Sequence, residues 1–311
     1  MGACWSGEER EKAEGSLLGR GEPENTGERM PERSERSSAE KNARAVRGEV
    51  PVWRYEQGAW LREEDEVADE VPLTIRLDGM EFATIVCSPS DLDDLVIGFL
   101  ASEGVIMLPE DIAGVDWDRE RGVAEVSLRR RMTLAEADFG KRVIGSCCGK
   151  SRQFYLRADA KTAKTSLSRV RLTPEECLAA MEELQRLSDD HARTGGVHNA
   201  ALYEAGRGIL AARADIGRHN ALDKLHGHCL RSGIAGRDKA VVFSGRISSE
   251  VLLKTAKIGA ALLIAKSAPT KLALGLAQDL GITAIGFVRQ GRMNVYTHPE
   301  RLGIGVDEGT S

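Results

Sequence analysis

The sequence predicts an α/β protein in two parts: a smaller N-terminal α+β subdomain, then a C-terminal α/β domain with a mostly parallel core sheet. Three observations predict it. In the second half, KAVVFSG, SEVLLKTAKIG, ALLIAK, TKLALGLAQDLG and ITAIGFVR alternate short apolar runs with amphipathic helical stretches, the rhythm of β-α-β-α-β. In the first half, two strand-like runs meet at Asp78-Gly79, a strong hairpin signal, just ahead of one helical segment. With 41% hydrophobic residues in 311, the chain can also bury a sizeable core, in one large domain or two.

Residues 1–47 are rich in Glu, Arg, Ser and Gly and lack periodicity. So little apolar surface cannot offset the entropy of ordering, and a disordered tail is expected there. Residues 48–142 form the α+β subdomain. In its helical stretch, SPSDLDDLVIGFLASEGVI, Ser90 is the expected N-cap, Leu92, Leu95, Val96, Phe99 and Leu100 share a face, and Gly104 is the stop. Asp91, Asp93 and Asp94 read as charge at a helix start, not as a catalytic pair. GVDWD and VAEVSLRR flank RERG as a second hairpin. Residues 143–171 are expected to be a cysteine-bearing loop and linker. The C-terminal domain, 172–300, opens on a helix with Thr173, Pro174 and Glu176 as a capping-box signature. Its apolar face is Cys177, Leu178, Met181, Leu184 and Leu187, which makes Cys177 a core residue. The strands AALYEA and ILAARADI and the helix NALDKLHGHCLRSG follow. After the alternating units a last hairpin turns at Gln290-Gly291, and residues 301–311 are expected to be a flexible end.

Several function classes fall away. A formal net charge of -5 disfavours a nonspecific nucleic-acid binder, which needs a basic face. Six cysteines in a chain this long do not make a disulfide scaffold. The start, MGACWSGEER, lacks the apolar core of a signal peptide, and no later run approaches the roughly 18 apolar residues of a membrane span. A soluble, cytoplasmic protein without membrane contact is expected.

In open α/β sheets, ligands bind beyond the carboxyl ends of the strands. Here those ends carry GRHNALDK, SGRISSE, KSAPTK and VRQGR. Each couples small residues to a cation: Arg218, Arg246, Lys266, Lys271, Arg289 and Arg292. Two lead into helix starts, with Ser248 or Ser249 and Ser267 or Thr270 as capping candidates. Helix N-termini with convergent Arg and Lys make an anion site, most naturally for phosphate. His198 and His219 each follow a glycine-containing turn, a setting that fits either a turn contact or proton transfer. His226, His228 and Cys229 in HGHC suggest metal ligation only superficially, because helical positions i and i+2 diverge. No catalytic metal is expected.

The stretch VIGSCCGKSR places Cys147 and Cys148 side by side among small residues and cations. Neighbouring cysteines close only a strained, easily reduced ring, so a structural disulfide is a poor reading. Lys150, Arg152 and backbone N–H groups near Gly149 favour a thiolate at either sulfur.

SPSDLDDLVIGFLASEGVI, GSCCGKSR, TGGVHNAALYEAGRGILAARADIGRHNALDK, VVFSGRISSEVLLKTAKIGAALLIAKSAPTKLA and IGFVRQGRMNVYT together resemble the FdhD family, accessory sulfur carriers of formate dehydrogenases. The resemblance runs from about Val71 to Thr297. It implies a cytidine-deaminase-like fold for the C-terminal domain, without zinc chemistry, and a homodimer. It also implies that a loop cysteine takes persulfide sulfur from a cysteine desulfurase. The sulfur then passes to the metal of the bis(molybdopterin guanine dinucleotide) cofactor of the formate dehydrogenase catalytic subunit. The family's cofactor-binding segment falls on Phe287, Val288, Arg289, Gln290, Gly291 and Arg292, and the strand-end reading adds Arg246, His219 and Lys271. Many members carry C-x-x-C before Gly-Lys, whereas this chain has the contracted pair with Gly145 three before Cys148. Chain order makes Cys147 the carrier's counterpart, while spacing makes Cys148 that of the second cysteine. Two other classes predict different behaviour. A thiol redox sensor or reductase would cycle Cys147-Cys148 as a disulfide, and a nucleotide-binding module would keep its ligand without either cysteine.

Overall fold

The computed structural model describes residues 47–130, 142–144, 163–187 and 194–305. The C-terminal half is built on a six-stranded sheet in the order β13-β12-β11-β10-β8-β9. Its strands are β8 (His198–Glu204), β9 (Gly208–Asp215), β10 (Ala240–Phe243), β11 (Leu262–Ala265), β12 (Thr283–Arg289) and β13 (Arg292–Val295). β10 and β11 are buried at every position, as strands covered on both faces must be. The expected parallel core holds for β10, β11 and β12. It is not mostly parallel overall, since β8–β9, β8–β10 and β12–β13 pair antiparallel. The reason is connection length. Short turns force β8–β9 and β12–β13 antiparallel, as at Gln290-Gly291, while β10 returns through the helix Arg218–Arg231 to the other side of β8 and runs parallel to β9. Adjacent parallel strands are joined through crossover helices.

Two crossovers supply those helices: α4 (Ser249–Ile258) joins β10 to β11, and α5 (Lys271–Asp279) joins β11 to β12. With α3 (Arg218–Arg231) they cover one face of the sheet, packing on Ala200, Leu202, Val241, Phe243, Leu263 and Ala284. The other face, with Tyr203, Val242, Ile264, Ile285 and Val288, takes α2 (Pro174–Arg186) through Cys177, Met181 and Leu184. Thr173 and Glu176 form the expected capping box of α2. Leu187, expected on the buried face, is instead the exposed C-cap, because the helix ends one residue before it. The chain also stays packed beyond residue 300. Arg301 donates to Ser168 O and Thr283 Oγ1, and Leu302 joins the α2-side core, so the flexible end expected from residue 301 is absent at these two positions.

The N-terminal half is a five-stranded sheet in the order β5-β6-β3-β4-β7. These strands are β3 (Val71–Leu77), β4 (Met80–Cys87), β5 (Ile112–Asp118), β6 (Val123–Leu128) and β7 (Arg142–Ile144). Both expected hairpins form. Asp78 and Gly79 turn with φ of 47° and 86°, the left-handed pair of a two-residue hairpin. β7 extends into the stretch read as loop from residue 143 by pairing with β4. Ser90 does not cap α1 (Leu92–Ser102), because Asp91 turns left-handed (φ 50°) and helical geometry starts only after it. Ahead of β3 stands a ribbon that the pattern did not suggest, β1 (Arg47–Glu56) and β2 (Ala59–Ala68), paired only with each other.

α1 lies between the N-terminal sheet and α3, and these two helices make the closest helix pair among the described elements. Gly98 of α1 faces Gly227 of α3. A Cβ on Gly98 would stand 1.8 Å from Asp223 O, and one on Gly227 would stand 1.9 Å from Asp94 O. Glycine is therefore the only residue that admits this approach. Charges flank the crossing. Asp94, read as helix-start charge, is buried and accepts from Arg213 Nε at 2.8 Å and Arg231 Nη1 at 2.7 Å. Asp223 holds Lys254 at 2.5 Å and Ser102 Oγ at 2.6 Å.

Candidate functional site

The carboxyl ends of β10, β11 and β12 meet at one rim, and three loops there are stitched together by their own backbones. Lys266 N–H donates to Phe243 O, Ile247 N–H to Ala268 O, Thr270 N–H to Ile247 O, and Phe287 N–H to Ser267 O, at 2.9–3.2 Å. Ser248 and Thr270 cap α4 and α5, as expected, accepting from Val251 N–H and Ala273 N–H. α3 begins at the same rim, since Asp215 at the end of β9 pairs with His198 at the start of β8. Three helix N-termini thus share one edge, with the positive ends of their dipoles turned toward it.

A cleft of about 420 Å³ opens where this rim meets α2. Lys266, Val288, Arg289, Gln290 and Gly291 form one wall, and Leu178, Met181, Glu182 and Gln185 of α2 form the other. The floor is apolar, while the rim carries two cations, one carboxylate and two amides. Phe287 sits at the bulge where the β12–β13 register shifts, with φ of 55°, a left-handed conformation that bulky side chains rarely adopt. That strain is localised in the segment expected to bind the cofactor, and it turns the chain from β12 toward the cleft wall.

The sequence-predicted residues divide. Val288, Arg289, Gln290 and Gly291 line the cleft, while Phe287 and Arg292 flank it in the same hairpin. Arg246 lies exposed in the loop before α4, and Lys271 is the exposed first residue of α5, so both sit on the rim toward the opposite face of the sheet. His219 lies in the first turn of α3, also on that face. Its Nε2 stands 3.0 Å from Glu250 Oε2, out of line for a hydrogen bond. Burial, then Lys254, Arg218 and His198, push its pKa down to about 3, so the ring is neutral. His198 stacks on Phe243 and brings Nδ1 to 3.5 Å from Ser244 Oγ. Cys147 and Cys148, with Lys150 and Arg152, lie outside the described residues.

The three described cysteines have a clear character. Cys87, Cys177 and Cys229 are buried free thiols, and burial above all pushes each up to about 12. None is a nucleophile near neutrality. Among the described residues no cluster of three His, Cys, Asp or Glu could hold a metal, and no helix is long and apolar enough to cross a membrane.

Two sets of residues escaped the sequence reading. Glu182 and Gln185 lie off the apolar face of α2, yet line the cleft. Asp215, closing β9, and Lys224, within α3, form a pair the sequence does not announce: both are fully buried, 2.7 Å apart. Asp215 also accepts from Ser88 N–H, Gly217 N–H and Asn220 Nδ2, and Lys224 donates to Ser88 O. An aspartate closing the apolar strand ILAARAD was the available signal.

Known proteins bear on this arrangement. The sequence profile of the FdhD/NarQ family matches residues 68–303. A protein of Bacillus subtilis (strain 168) named sulfur carrier protein FdhD is 57% identical over 251 residues, 81% of this chain and 95% of the relative. Its counterpart of the same name in Geobacillus kaustophilus (strain HTA426) is 55% identical over 255 residues, 82% and 97% of the two chains. A crystal structure of a putative formate dehydrogenase accessory protein from Desulfotalea psychrophila superposes with a TM-score of 0.67 at 26% identity, covering 83% of this chain and 99% of that one.

Proposed function

The chain belongs to the FdhD/NarQ family, and from that premise we propose that it is a sulfur carrier serving formate dehydrogenase. The carrier thiol belongs to the Cys147-Cys148 pair. The observation that carries this is one of contrast. The three described thiols are buried and held protonated, whereas the CC pair lies in a polar, cation-bearing stretch that favours the thiolate. The thiolate attacks the outer sulfur of a persulfide on a cysteine desulfurase. The donor's S–S bond breaks, its thiolate leaves, and a new persulfide stands on the carrier with no net oxidation.

The acceptor is the bis(molybdopterin guanine dinucleotide) cofactor. Lys266 and Arg289 at the mouth of the cleft suit its phosphates, and the apolar floor of Leu178, Met181 and Val288 suits a base. A cleft of about 420 Å³ takes one nucleotide arm, not two, and a second copy of the chain supplies the second cleft. Gln290 and Gly291 offer the turn backbone to the ligand. Arg246, Lys271, Arg292 and the helix starts on the rim add positive potential along its approach.

Intact-protein mass spectrometry tests the reading, after incubation with a cysteine desulfurase and cysteine, on wild type, Cys147→Ala and Cys148→Ala. The expected result is a gain of one sulfur (about 32 Da), erased by reductant and lost in one variant, which names the carrier. Loss of two protons with no sulfur gained would overturn the proposal in favour of a disulfide-cycling sensor.

A further inference from the structure

The ribbon of β1 and β2 has no part in the reading above, yet it carries Trp53, Tyr55 and Trp60, the most exposed aromatic side chains among the described residues. Each strand is ten residues long, and the two turn at Gln57-Gly58 with φ of 50° and 88°. Two strands alone are marginal in water, and three or more make a stable sheet. Among the described residues both outer edges of this ribbon are unpaired.

The register sorts the side chains onto two unlike faces. Tyr55 stands opposite Trp60 and Trp53 opposite Arg62, so the three aromatics share one face. The Tyr55 and Trp60 rings lie 5.1 Å apart, and the Arg62 guanidinium sits 6.0 Å from the Trp53 ring centre. Together the three rings leave roughly 300–400 Å² open, the size of patch that is often functional on a monomer. Glu49 and Glu64 lie on the same face and make no ion pair among the described residues. Ring faces beside carboxylates attract a cation twice over, through the ring quadrupole and through the ion pair.

The opposite face asks for something else. There Glu63 lies 2.7 Å and Asp65 3.8 Å from the Arg54 guanidinium, so both acids already have a partner. What this face leaves open is aliphatic: Val50, Leu61 and Val67.

The two edges differ as well. β1 carries Pro51, whose missing N–H blunts an edge, whereas β2 holds neither Pro nor Gly. β2 also has three acids in a row at Glu63, Glu64 and Asp65. Symmetric antiparallel pairing of two β2 copies centred there sets acid opposite acid, which disfavours a second copy of the chain.

We propose that the free edge of β2 accepts an extended strand from another protein in which basic and aliphatic residues alternate. Its backbone continues the sheet, its Lys or Arg side chains lie over Trp60 and Glu64, and its aliphatic ones cover Leu61 and Val67.

The test is fluorescence anisotropy of a labelled peptide of four Lys-Val repeats, titrated with the full chain at low salt. Wild type is expected to bind it at least tenfold more tightly than the isomer with four lysines followed by four valines, which has the same charge. A peptide of four Glu-Val repeats should not bind. Glu64 and Trp60 are exposed, so Glu64→Lys and Trp60→Ala leave the core untouched. The first should weaken binding about tenfold, exchanging an attraction for a repulsion, and the second about fivefold through the lost ring contact. Absence of binding at submillimolar chain would overturn the proposal. Equal binding of the block isomer, or an unchanged affinity in Glu64→Lys, would do the same. A dimer in sedimentation equilibrium that Trp60→Ala abolishes would instead assign the edge to a second copy.

Discussion

Lys224 and Asp215 are both fully buried, and each needs the other. Removing the ammonium leaves a carboxylate in the interior with hydrogen bonds but no countercharge. Lys224→Ala is expected to cost about 3–5 kcal/mol in urea denaturation. A Lys224→Met, Asp215→Leu pair should recover part of that, since neither charge is then stranded. The buried histidines make a second residue-scale prediction. His219 and His226 are held neutral with pKa values near 3, below the unfolded value of about 6.5. The unfolded chain therefore binds more protons. Stability is full above about pH 6.5 and falls as the pH drops toward 3, by about 1.4 kcal/mol per buried ring at pH 5.5. Denaturation midpoints at pH 7.5 and 5.5 check this, and equal midpoints would contradict it. The sequence showed that Cys177 is inert, because it repeats with Met181 and Leu184 on an apolar face, but gave no such sign for Cys87. It did not show that Asp94 is buried, because Arg213 and Arg231 come from 119 and 137 positions away.

Elements were legible where period and capping agree. The helix behind Thr173 and the strands AVVF and LLIA declare themselves, as do the hairpin turns at Asp78-Gly79 and Gln290-Gly291. The ribbon of β1 and β2 did not, because neither of its faces is a core face. Trp53, Tyr55 and Trp60 are all more than 60% exposed, and acidic residues crowd β2, so no alternation marks the strands. The crossing of α1 and α3 was hidden for another reason: a glycine within a helix reads as a weak point, and only the partner helix explains it. Gly227→Ala pushes a methyl group into the Asp94 carbonyl, with backbone on both sides and nothing to rotate away. The expected result is a loss of more than about 3 kcal/mol, or no folded protein. Gly275→Ala, on the open side of α5, serves as the control and should raise stability slightly.

At the scale of the whole molecule, the two halves share an interior. α1 belongs to the N-terminal core by its apolar face and to α3 by its glycine, with Asp94 and Asp223 buried at the seam. The halves should therefore unfold together. All four tryptophans, Trp5, Trp53, Trp60 and Trp117, lie in the N-terminal 117 residues, while most of the helix lies in the C-terminal half. Tryptophan fluorescence and far-UV circular dichroism thus watch different halves, and their denaturation curves should coincide. Two separated transitions would mean that the seam is weaker than its packing implies. The two-part organisation could be read from the change in rhythm along the chain, but the seam could not, because its charges are paired only by the fold. The cleft was half legible. Its strand-end wall follows from topology, while the α2 wall depends on which helix happens to cover the opposite face.

The linker across α4 and α5 has a mechanical consequence. Backbone hydrogen bonds from Lys164 and Ser166 fasten it to the last carbonyls of two short helices, whose first turns stand on the rim. A ten-residue helix is a stiff rod of roughly 15 Å. Tension along the chain entering at Ala163 is therefore delivered as an axial load through the domain, from the end where the linker is tied to the end where the capping hydroxyls of Ser248 and Thr270 sit.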